Sequence, residues 1–172
     1  MAENIFTLPA DEPRSVQGPR AFNAILYGGL AVGVLDGLAA VILTLLNGRS
    51  PGRMFQGIAK GLIGDASFNG GWATILLGVS LHFLIAFIWA TIYHGASLIL
   101  PAMIRRALMW ALICGPLYGV FVYFAMQIIV LPLSAIRKPP FFFAAPLQGI
   151  IVHIVCVGLP ISLFAWRSAK SN

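Results

Sequence analysis

The sequence predicts an all-α integral membrane protein: a four-helix bundle that crosses the bilayer, with one short interfacial amphipathic helix. Three observations predict it. Of 172 residues, 59% are hydrophobic and only 9% charged, against roughly 25% charged in soluble domains. Four runs are long and apolar enough to span the hydrocarbon, which takes about 20 residues of helix. All eleven Lys and Arg fall outside those runs, and of five acids only Asp36 falls inside one.

The runs are residues 22–46, 73–100, 107–131 and 146–166. Trp72, Trp110 and Trp166 sit at their ends, where amphipathic rings favour the membrane interface, and Trp89 lies mid-span. One four-span domain, 21–168, is therefore expected between a mobile polar tail, 1–20, and a short tail, 169–172. The first twenty residues carry Glu3, Asp11 and Glu12 among three prolines, without the basic-then-apolar order of a signal peptide. The net charge of +6 is scattered in pairs along the chain and forms no patch, which argues against nucleic-acid binding. Cys114 and Cys156 lie in apolar runs without paired spacing, so no structural disulfide is expected.

Between the first two spans, residues 51–63 read as a helix with Ser50 as N-cap, Pro51 at its first position and Gly64 beyond its end. Met54, Phe55, Ile58, Leu62 and Ile63 share one face and Arg53, Gln56 and Lys60 another, the pattern of a helix lying flat at the headgroups, as a connector or as a lid or partner surface. The other connections carry Arg105-Arg106, and Arg137-Lys138 with Phe141-Phe142-Phe143. Four spans place both termini on one side, with Arg14, Arg20, Arg105, Arg106, Arg167 and Lys170, against Arg49, Arg53, Lys60, Arg137 and Lys138 on the other. That near balance only weakly favours cytoplasmic termini. Nothing in the sequence identifies a protein partner, so a homo-oligomer or a membrane complex stays open.

Helices in lipid gain little from burying apolar surface against each other, so small residues mark the packed faces. Gly29, Gly33 and Gly37 form such a stripe on the first span, with Asp36 on the same side. Gly78 lies one turn from His82 on the second, Gly119 one turn from Tyr123 and two from Gln127 on the third, and Gly149 one turn from His153 on the fourth. Counted from the side of the longer connections, Asp36 and His82 lie roughly 15 Å deep, Tyr123 about 14 Å, His153 about 10–13 Å and Gln127 about 8–10 Å. Ionisable groups at that depth normally face the bundle and satisfy one another. An intramembrane cluster of Asp36, His82 and His153, with Tyr123 and Gln127 as hydrogen-bonding neighbours, is the expectation.

Three readings of the cluster stay open. Asp36 accepting from an imidazole would fix helix register. A carboxylate beside imidazoles would exchange protons near neutrality, suiting proton-coupled transport or pH sensing. His82 and His153 would ligate a haem b iron, or with Asp36 a metal. His94, beside Tyr93 near a span end, stays outside the cluster. Pro116 and Pro160 are expected to kink the third and fourth spans. No GxGxxG, P-loop, HExxH or GxSxG motif is present, so the expectation is a protein that is not an enzyme and has no cofactor.

Leu81-His82-Phe83, Gln127-Ile128-Ile129-Val130-Leu131-Pro132, Pro139-Pro140-Phe141 and His153 together resemble the YagU-like family of bacterial inner-membrane proteins, over roughly residues 71–167. The resemblance implies a bacterial inner membrane and a part in acid tolerance. Gln127 stands where that family's pattern carries a histidine, and the first connection is shorter.

Overall fold

A computed structural model describes residues 18–100, 108–137 and 146–170. The polar tail up to residue 17, Arg105-Arg106 and the segment from Lys138 through Phe143 lie outside the described residues. Among these residues every regular element is helical. Helix α1 is Gly18–Leu46, α2 Pro51–Ile63 and α3 Gly71–Ile99; α4 is Leu108–Leu133 and α5 Pro146–Ala169. All but α2 are long and apolar enough to cross a membrane, and their composition makes this a multi-pass membrane protein with lipid as its surrounding solvent. Trp89 faces the bundle, its indole N–H directed at the Met126 sulfur, 3.4 Å away. Both cysteines are free thiols.

The bundle closes tightly in one half. Tyr93, Tyr118, Val122, Val157, Ile161 and Ala165 belong to its buried core, and the Tyr118 hydroxyl donates to the Trp89 carbonyl at 2.7 Å. Glycine sets how close α4 and α5 come: a Cβ on Gly158 would run into the Gly115 carbonyl and stand 2.6 Å from the Gly119 nitrogen. Backbone therefore meets backbone there, the close approach that small residues permit in lipid.

Prolines shape the other half in an unexpected way. Pro116 sits inside a regular α-helical stretch, whereas π-turns occupy Met126–Val130 in α4 and His153–Gly158 in α5. Pro132 and Pro160 come just after them. A proline ring clashes with the carbonyl four residues earlier, here those of Ile128 and Cys156, and both lie in the wider π-turn that moves that carbonyl aside.

The segment expected as an interfacial helix forms, and it packs on the protein. Helix α2 bridges from the first turns of α3 to the end of α4. A Cβ on Gly78 would collide with the Phe55 carbonyl, and the Ala135 N–H donates to the Gly61 carbonyl at 2.9 Å. Gln56, expected beside Arg53 and Lys60 on a polar face, is instead only 6% exposed. Its amide donates to Thr74 Oγ1 at 3.2 Å and the Gly71 carbonyl at 3.3 Å, because an amide turned inward needs partners and α3 supplies them. Ser50 occupies the cap position in extended conformation, but its side chain makes no capping hydrogen bond. Gly64 ends the helix at φ 68° and donates its N–H to the Lys60 carbonyl, a left-handed conformation that suits glycine.

Candidate functional site

Above the core the four spans part around a cavity of about 460 Å³. Its floor is the top of the core: Val32, Ala86, Val122 and Val157, one from each span, belong to both. Its roof is α2, through Met54, Gly57, Ile58, Gly61 and Leu62. The wall between them carries Asp36, His82 and His153. The π-turns contribute Met126, Val130, His153 and Val157, so both irregular turns open onto this space, a common location for π-turns.

Each of the three ionisable side chains comes from a different span, and each is half-buried. His82 donates from Nε2 to the Gly33 carbonyl at 2.9 Å. His153 donates from Nδ1 to the Gly149 carbonyl, also at 2.9 Å and one turn back on its own helix. A carbonyl only accepts, so these bonds leave His82 Nδ1 and His153 Nε2 as the second nitrogens. The Cys156 thiol, three residues from His153, lies within electrostatic reach of the Asp36 carboxylate.

One of the three readings, in which Asp36 accepts from an imidazole to fix helix register, does not match the hydrogen bonds found. Among the described residues the Asp36 carboxylate makes neither a hydrogen bond nor an ion pair. Both histidines give their N–H to backbone carbonyls, while the space beside Gly33 is filled by the Phe83 ring and that beside Gly149 by the Tyr123 ring. The stripe on α1 shows the same packing: Phe87 covers Gly29, Phe83 covers Gly33, and a Cβ on Gly37 would stand 3.1 Å from His82 Nε2.

Tyr123 and Gln127 do not line the cavity. The Tyr123 ring covers Gly149 and meets His153 edge to face at 5.5 Å, so it braces the imidazole from behind. Gln127 is half-buried within the first π-turn, whose altered rotation a constant helical period does not reproduce. Two contributors carry no clear signal in the sequence. Ser134 and Ile136 close the side beside α2, with the Ser134 hydroxyl donating to the Leu131 carbonyl at 2.8 Å and accepting from the Ile136 N–H at 3.2 Å. The roof itself had one signal: Gly57 and Gly61, four residues apart among the apolar positions of α2, form a small-residue pair like those on the spans. Among the described residues, no group of three His, Cys, Asp or Glu side chains is arranged to hold a metal ion.

In comparisons with known proteins, no family model, no curated protein and no solved structure matches this chain.

Proposed function

We propose that the protein takes a small molecule into this intramembrane cavity and couples its binding to proton exchange on Asp36, His82 and His153, as a proton-coupled transporter or a pH sensor does. It acts by binding and proton transfer and not as an enzyme. One observation carries the reading: three ionisable side chains from three spans line a single cavity. Histidine is the side chain whose ordinary titration range lies nearest neutrality, and ionisable groups within a bilayer commonly mark proton and substrate paths. The resemblance to the YagU-like family supports a bacterial inner membrane and a part in acid tolerance, and we place the termini in the cytoplasm.

Proteoliposomes enclosing a pH-sensitive dye test this. Asp36→Asn, and His82→Gln with His153→Gln, should slow proton flux across an imposed pH gradient while the amount of folded protein stays the same. Equal flux in wild type and variants would reduce the cluster to a device that fixes helix register.

A second reading rests on the backbone carbonyls behind both imidazoles, the arrangement that orients metal-bound histidines. It is a haem b held by His82 and His153. A Soret band in the purified protein that disappears in His82→Ala or His153→Ala would put this reading in place of the first.

A further inference from the structure

The polar groups of the cavity wall differ in what they still lack. Ser134 has a donor and an acceptor already. His82 and His153 have each committed one N–H to a carbonyl, keeping one nitrogen in reserve. Asp36 alone has no hydrogen-bond or ion-pair partner among the described residues. Among the described residues, no lysine or arginine lines the cavity. A carboxylate in apolar surroundings is stable only when a positive charge or hydrogen-bond donors meet it. What the described lining lacks is a cation.

The remaining surface says what that cation carries. Ile58 and Leu62 from the roof, Ile85 and Trp89 from α3, and Val32 and Val157 at the floor make most of the remaining described lining apolar. Its size, about 460 Å³, falls within the roughly 300–1,000 Å³ of small-molecule sites. The second nitrogens of neutral His82 and His153 are acceptors, which suits a head group with N–H bonds to give. An anion would meet Asp36 with no basic side chain of the described lining to offset it, and a neutral polar molecule would leave the carboxylate charge unanswered.

We propose that the cavity binds a protonated organic amine with an apolar body, the ammonium held on the Asp36 carboxylate and the body against Ile58, Ile85 and Trp89. This rests on the reading of the cavity as the functional site, and it names the class of molecule that the site takes.

The test uses the full chain in lipid nanodiscs, with empty nanodiscs as the blank, and three probes of nearly one shape: 1-naphthylmethylamine, 1-naphthalenemethanol and 1-naphthoate. Equilibrium dialysis should show saturable binding of the amine, at least about tenfold tighter than of the alcohol or the acid, because only the amine forms the charge pair. Asp36→Asn should lose about that factor for the amine and little for the alcohol. Ile58→Trp, which fills the space from the roof and leaves Asp36 intact, should weaken the amine as well. The comparison of probes on wild-type protein needs no variant, so it stands even if Asp36→Asn fails to fold. No saturable binding of the amine, or equal binding of the three probes, would overturn the proposal. So would unchanged amine affinity in a folded Asp36→Asn protein. Proton flux is read separately. Flux that depends on Asp36 without amine binding removes only this inference, and amine binding without such flux removes proton coupling while the site stands.

Discussion

His82 on α3 donates its Nε2–H to the Gly33 carbonyl on α1, 2.9 Å away, tying an imidazole to the backbone less than one turn before Asp36. The bond needs a bare α1 surface. A Cβ on Gly33 would enter the Phe83 ring, and one on Gly37 would stand 3.1 Å from the bonded nitrogen. Gly33→Ala should therefore destabilise the bundle by about 1–3 kcal/mol, measured by thermal or denaturant unfolding in detergent. Gly37→Ala should cost less and move the His82 ring, seen as a changed ¹⁵N shift of its imidazole.

The crossing of α4 and α5 at Gly115, Gly119 and Gly158 leaves no room even for a methyl group. Gly158→Ala meets α4 backbone at Gly115 and Gly119, which cannot yield as a side chain can, so a loss of about 3 kcal/mol is expected, at the upper end for overpacking. Gly95 provides the contrast, because nothing lies within 4 Å of a Cβ built there. Gly95→Ala should be neutral or stabilising by up to about 1 kcal/mol. Equal unfolding midpoints for the two variants would show that the crossing is looser than these distances require.

The sequence brought Asp36, His82 and His153, which line one cavity, to one level because span length and alternating direction fix depth, and depth is a nearly linear count along a helix. Partners were harder to read. Helical period gives the side of α3 that His82 occupies, yet whether its ring meets a carboxylate or a carbonyl depends on where α1 is bare. Gln56 failed for a related reason: a glutamine has the same place on a helical wheel whether it faces water or another helix. The roof was legible only as one alternative, a lid with the Gly57 and Gly61 pair as its signal, because an apolar face that suits lipid equally suits a cavity.

Gln56 fastens that roof. Gln56→Leu removes the bonds to Thr74 and the Gly71 carbonyl, each of which contributes about 1 kcal/mol, while keeping bulk. Faster amide exchange across α2, with little change in α4 and α5, is the expected outcome. Exchange that rises equally everywhere would mean that α2 is part of the global folding unit.

Lys60 and Asp65 form an ion pair at 2.6 Å, but the Asp65 side chain is 83% exposed. Exposed pairs contribute little, commonly about 0–1 kcal/mol. Asp65→Asn should shift stability by well under about 1 kcal/mol, and its amide exchange in α2 should match wild type. A shift as large as that of Gln56→Leu would assign the roof to charge and not to the buried amide.

The two π-turns also change what the helix count means in this protein. Each holds one residue more than an α-turn would, and every residue turns the chain by about 100°. Losing one residue from 153–158 would hardly shorten α5, but it would rotate the C-terminal half of that helix against the N-terminal half, as one tooth lost from a gear spoils the mesh. Length along 126–130 and 153–158 is therefore the sensitive quantity here, more so than the identity of most side chains within them.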